Sequence, residues 1–161
     1  MELLSELEKV SMELKVDEID RMILMLLSDN AKLANKEIAD KVGLSVTPTY
    51  ERIRRLERSG IIKRYRAVLD SKLLGKELHV HCHITLKNHT TASILDFEEK
   101  IVGLDEVVAC YNIAGDYDYT LYVEIENMEA YHEFVRKTLT SIQNIGNIQS
   151  AFVMKTMKSI S

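Results

Sequence analysis

Two small domains of mixed α+β class are predicted for this chain of 161 residues. Apolar residues recur at helical spacing through the first half, whereas from Val80 onward they alternate with polar ones, as strands do. The first half reads as a winged helix-turn-helix, and the second, with elements in the order βαββαβ, as a ferredoxin-like sandwich. The limits fall at 1–15 for an N-terminal extension, 16–75 for the helical domain and 76–161 for the sandwich. A third observation is electrostatic. From Asn35 to Arg66 nine Lys or Arg (Lys36, Lys41, Arg52, Arg54, Arg55, Arg58, Lys63, Arg64, Arg66) face four acids (Glu37, Asp40, Glu51, Glu57), a local +5 in a chain of net −4.

Leu3, Leu7, Val10 and Leu14 recur at heptad-like steps, so the extension is either a short packing seam or a frayed amphipathic tail. Asp17 to Ser28 then gives a helix with Ile19, Met22, Ile23 and Leu26 on its inner side. A second helix starts near Asn35, whose side chain suits the cap, carries Ile38, Ala39 and Val42 inward and ends at Gly43. Leu44 plugs the corner. Thr47 and Pro48 suit the cap and first position of a third helix, with Ser45 a competing cap. In that helix Val46, Ile53 and Leu56 face inward, Arg54, Arg55 and Arg58 emerge on other faces, and Ser59-Gly60 ends it.

Such a concentration of cations is what phosphate neutralisation requires, and a negative whole-chain charge does not oppose it. The third helix is the element to enter the major groove of double-stranded DNA. Ser45, Thr47, Thr49 and Tyr50 in its first turn approach base edges, Arg54, Arg55 and Arg58 take phosphate or guanine, and Lys63 and Arg64, with Arg66, follow the backbone from a hairpin beyond it.

In the second half Val80, Cys82, Ile84 and Leu86 alternate with His79, His81, His83 and Thr85. Ile94, Phe97 and Ile101 stripe a helix, and VVACYNI and YTLYVEI form strands joined through Gly115-Asp116. Asn127 caps a helix with Tyr131, Phe134, Val135, Leu139 and Ile142 inward, and NIQSAFVMK closes the set. Helices cover one sheet face; pairing with a second subunit is the natural cover for the other, which makes the chain a homodimer. Gly115 admits backbone conformations closed to other residues, and free amides in its turn suit an α-carboxylate while Asp118 suits an α-ammonium. A plain glycine hairpin with solvated Asp116 and Asp118 is the alternative.

The HxH spacing of His79, His81 and His83 is compatible with zinc, but no carboxylate or cysteine of suitable facing lies near in sequence, and no metal or other cofactor is expected. Catalysis is not expected either: the chain has no phosphate loop or nucleophile elbow, and Asp116, Asp118, Glu124 and Glu126 lack a proton partner. Cys82 and Cys110 form no CxxC pair and are expected reduced. No apolar run is long enough to span a membrane, and MELLSELEK lacks the marks of a signal peptide, so a cytoplasmic location is expected.

VDEIDRMILMLLSDN, KEIADKVGLS, TPTYERIRRLERSGII and the LLG at Leu73 to Gly75 together resemble the DNA-binding domain of the Lrp/AsnC, or feast/famine, family of transcription regulators. AGDYDYTLYVEI, from Ala114, is similar to that family's GxxDY turn. The resemblance implies a free amino acid or related metabolite as effector, held between dimers that assemble to octamers or discs. It implicates Gly115 and Asp118, with Asp116 in the same turn and Ser150 where relatives commonly carry threonine. The chain departs from the family at Ala34, often serine, and at Asn144, often glycine. An effector-independent architectural DNA-binding protein is the alternative function.

Overall fold

The computed structural model describes residues 16–158. The heptad-like stretch before them lies outside the described residues. Two compact units divide between Ala67 and Val68.

The first unit holds α1 (Glu18–Asp29), α2 (Asn35–Val42) and α3 (Val46–Arg58). Ile23, Ile38, Val42, Ile53 and Leu56 form its core, with Leu44 packed against it at the corner. Gly43 ends α2 at φ 72°, a left-handed conformation that glycine takes without Cβ strain. Asp17 caps α1, accepting the Asp20 amide at 2.8 Å, while the Asp17 amide returns a bond to Asp20 Oδ2 at 3.2 Å. The Asp20 amide, with Arg52, holds the Asp17 carboxyl below the usual carboxylate range.

Several local expectations are corrected. Met22 is exposed, because the buried stripe of α1 runs through Asp20. Ala34 occupies the cap position of α2, so Asn35 is its first helical residue; the Ala34 amide donates to Glu37 Oε2 at 2.8 Å. Helix α3 begins at Val46 after Ser45, leaving Pro48 in the first turn, where its missing amide has no helical acceptor to lose. Val46 is exposed, and Thr49 takes the inward place on the Ile53 and Leu56 side. No strand forms between Arg58 and Leu78, so Lys63, Arg64 and Arg66 lie on irregular chain. The first turn residues after Lys63 are Asp70 and Ser71, and the strand beyond them joins the sheet of the second unit, which leaves no return strand for a hairpin.

The second unit follows the predicted order: β1 (Leu78–Leu86), α4 (Thr91–Val102), β2 (Val107–Asn112), β3 (Tyr119–Ile125), α5 (Met128–Glu133) and β4 (Ile145–Phe152). The sheet order is β2-β3-β1-β4, antiparallel throughout, the ferredoxin-like arrangement. Cys82 stands opposite Leu121 on one side and Ser150 on the other. One face, with Val80, Ile84, Leu121 and Val123, packs against Phe97, Ile101, Tyr131, Phe134 and Leu139. Burial and a bond to Glu98 push the Tyr119 phenol up to about 12. After α5 the chain makes a π turn, Phe134–Thr138, and a 3-10 turn, Leu139–Ser141. The other face carries His79, His81, His83, Thr120 and Tyr122. There His79 shares hydrogen bonds with Tyr122 OH and Ser71 Oγ, both at 2.9 Å, and His83 Nδ1 with Thr120 Oγ1 at 3.1 Å.

Asp20 is 0% exposed and meets two arginines of α3: Arg52 Nη1 donates to its Oδ1 at 2.8 Å, and Arg55 Nη2 donates to its Oδ2. Arg52 also donates to Asp17 Oδ2 at 2.6 Å. Replacing Asp20 removes the carboxylate that two partly exposed guanidinium groups share, so Asp20→Ala is expected to lower the unfolding free energy by about 2 kcal/mol, read from denaturant midpoints. Unchanged midpoints would mean the pairs contribute nothing to the fold.

Candidate DNA-binding surface and effector turn

Burying Ile53, Leu56 and Thr49 turns the opposite side of α3 to solvent. Ser45, Thr47 and Tyr50 are exposed in and beside its first turn, followed by Arg54, Arg55 and Arg58. Thr49 cannot reach a base edge: it is 0% exposed and its hydroxyl donates to the Ser45 carbonyl at 3.0 Å. Pro48, Tyr50, Arg54, Arg55 and Arg58 line an open groove along the helix.

The cations are not equivalent. Arg52 is spent on Asp17 and Asp20. Arg55 is tied to Asp20 by one nitrogen, yet its side chain stays 47% exposed, so other donors of its fork face outward. Arg54 has only a long contact, 3.4 Å, with Glu57. Arg58 makes no ion pair among the described residues, and Lys63 and Arg64 are exposed. The Asp17 and Asp20 ties were missed in the sequence, although the Asp-x-x-Asp spacing at the start of α1 signals a capping arrangement.

In the second unit the turn between β2 and β3 is built around Gly115, at φ 144°. It closes through the Ile113 amide, which donates to the Asp118 carbonyl at 2.9 Å, and the Asp118 amide, which donates to the Ile84 carbonyl at 2.9 Å. The Gly115 and Asp116 amides donate to no acceptor among the described residues. They are available to an anionic group. Tyr117 stacks on His83 with ring centroids 4.9 Å apart and donates to Gln149 Oε1, which anchors the turn to the open sheet face.

The Asp118 carboxylate is already engaged. Oδ2 accepts the Leu86 amide at 2.7 Å, and His89 Nε2 stands 2.8 Å from Oδ1. The Leu86 amide, then His89, hold the carboxyl below its ordinary range. Ser150 lies apart from this turn, on the helix-covered face, where its hydroxyl bonds Tyr131 OH; that phenol also lies 3.1 Å from Cys82 Sγ. Burial pushes the Cys82 thiol up, as it does the Tyr131 phenol. Gly115, Asp116 and Asp118 thus share one turn, which Ser150 does not join. His89 had no motif to announce it. Glu124 and Glu126 line a separate open hollow with Asp105, Glu106 and Glu133, into which Lys76 and Lys137 also reach. No group of three His, Cys, Asp or Glu suited to a metal ion occurs among the described residues. No helix among them is long and apolar enough to cross a membrane.

Residues 16–63 match the model of a winged helix-turn-helix DNA-binding domain and residues 79–160 that of the Lrp/AsnC ligand binding domain. The chain is 39% identical over 143 residues to the Bkd operon transcriptional regulator of Pseudomonas aeruginosa, covering 89% of this chain and 94% of that protein. It is 35% identical over 143 residues to the leucine-responsive regulatory protein of Escherichia coli, covering 89% and 87%. Its fold superimposes on a Neisseria meningitidis transcriptional regulator solved with L-Met, with a TM-score of 0.87, 30% identity and coverage of 90% and 94%. Both halves of the chain, the exposed basic helix and the sheet with its glycine turn, are therefore accounted for together: this chain belongs to the Lrp/AsnC family of transcription regulators.

Proposed function

We propose that this regulator binds operator DNA through α3 and changes that binding in response to a free amino acid. The exposed face of α3 carries the first half of the reading, since its burial pattern leaves Tyr50, Arg54 and Arg58 together on the surface. Ser45, Thr47 and Tyr50 take base edges; Arg54, Arg55, Arg58, Lys63 and Arg64 take phosphates, within a DNA-binding domain spanning 16–75. Arg58→Ala in the full chain is expected to weaken binding to duplexes of any sequence about equally and to reduce the slope of log affinity against log salt by about one. A variant with wild-type affinity and slope removes Arg58 from the interface.

Residues 76–161 form the oligomerisation and sensing domain in this reading. The face bearing His81, Tyr111 and Tyr122 is left open among the described residues of its own unit, and a second copy of the same face is the cover we assign to it, with higher assembly to octamers as the family resemblance implies. Light scattering of the full chain is expected to give at least twice the 18.5 kDa protomer mass at micromolar concentration. A protomer mass rejects this cover.

The effector is an amino acid held at the Gly115 to Asp118 turn, its α-carboxylate on the free amides. The family of the ligand-binding half and the L-Met complex of the Neisseria relative support this class. A ligand that binds only the folded protein raises its stability. A thermal-shift panel of the twenty amino acids at millimolar concentration is expected to single out one or a few, L-methionine and L-leucine being the first to try. A flat panel, with DNA binding unchanged by every amino acid, favours the architectural alternative.

A further inference from the structure

Asp118, the acid suited to an ammonium, carries a side-chain partner of its own in His89. This histidine lies in the β1–α4 connection, one residue before Thr90, the N-cap of α4. Its Nε2 stands 2.8 Å from Asp118 Oδ1, while Asp118 Oδ2 keeps the Leu86 amide at 2.7 Å. The two oxygens therefore have separate tasks. One fixes the turn to β1; the other meets a side chain.

The backbone around His89 is pinned from another direction. Asn144 Oδ1 accepts the Asn88 amide at 3.0 Å, and Asn144 Nδ2 donates to the carbonyls of Asn88 at 3.0 Å and Ser93 at 3.2 Å. The imidazole itself is open to solvent, with 59% of its side chain exposed. An exposed pair of this kind contributes little. The start of α4 disfavours positive charge beside it, which weakens the hold further. Leaving Asp118 thus requires only a rotation of the His89 side chain.

The charged groups on the elements around this connection are few. The turn brings Asp116 and Asp118. The connection itself brings Lys87, whose ammonium donates to the Gln143 carbonyl at 3.2 Å. Helix α4 brings Glu98, which accepts the Tyr119 hydroxyl at 2.7 Å, and Asp96, paired with Lys100 at 2.7 Å. The segment before β4 supplies Gln143 and Asn144, both uncharged. Asp118 is the carboxylate His89 bonds.

We propose that His89 is an internal stand-in for the effector's α-ammonium: it occupies Asp118 Oδ1 in the ligand-free protein and swings away when an amino acid brings its own cation to that oxygen. The proposal rests on the amino-acid reading above. A protonated imidazole holds the carboxylate more strongly than a neutral one, so the competition is strongest when the imidazole is charged. His89 sets the effector affinity and lowers it most when its ring is charged.

The test is calorimetry on the full-length wild type, His89→Ala and His89→Gln, at about pH 5.5 and about pH 8. The titrant is the amino acid with the largest shift in the thermal panel, L-methionine being the first tried. His89→Ala is expected to bind about two- to five-fold more tightly than wild type at the lower pH, the range spanned by an exposed ion pair, with the difference shrinking at the higher pH. His89→Gln is expected to lose most of the pH dependence. The deaminated analogue of the same amino acid, lacking the ammonium, is expected to bind wild type and His89→Ala alike. Equal or weaker amino-acid binding by His89→Ala at low pH overturns the displacement and leaves the amino-acid reading standing. No heat from any of the twenty with either protein removes that reading, and this proposal with it.

Discussion

Taking the Asp20 carboxylate out of water is costly unless positive charge meets it, and Arg52 and Arg55 meet it from positions three apart on α3. The contact joins the first helix to the third, and the pairing sets which face of α3 turns inward. With Arg52 and Arg55 directed at α1, and Thr49, Ile53 and Leu56 in the core, the remaining surface of the helix belongs to Tyr50, Arg54 and Arg58. The same guanidinium groups that look interchangeable in a charge count therefore divide into one that holds the domain together, one shared between core and surface, and several that face solvent. The field available to DNA is smaller than the formal +5 of the segment, because Arg52 is neutralised internally.

The second unit organises its turn by a related device. The Gly115 conformation makes the chain reverse tightly enough for Asp118 to lie beside the end of β1, where its amide and one carboxylate oxygen both bond that strand. Tyr117, the preceding residue, points to the opposite sheet face and rests on His83. One turn is thus fastened by neighbouring residues to the end of β1 and to the open sheet face. A change in the turn is felt at once on the open face and at the β1–α4 connection.

Much of this was legible from periodicity. Every helix and strand of the second unit occurs in the predicted order, because alternation along β1 and β3 is regular and the helices between carry clear apolar stripes. Side-chain roles were less legible where a polar residue took a core position. Thr49 reads as a base contact in the sequence, but a buried hydroxyl can bond the carbonyl four residues back, and so the residue lies inside. Asp20 displaced Met22 from the inner stripe for the converse reason: its partners come from α3, thirty-two and thirty-five residues away, beyond any local pattern. Asp118 was legible as an acid in a glycine turn, whereas His89 was not, since their proximity arises from the pairing of β1 with β3 and leaves no trace in spacing.

The π turn at Phe134–Thr138 leaves the apolar row of its helix in phase. Tyr131, Phe134, Val135 and Leu139 still follow the three-four-four-type spacing of an ordinary apolar helix face, so the wider i→i+5 turn alters the backbone bonds without taking the row off the sheet. A deletion here therefore turns Leu139 about 100° out of the core, as the same deletion inside α4 turns Ile101. Neither helix has slack, and changes of length in this unit belong to the connections between its elements.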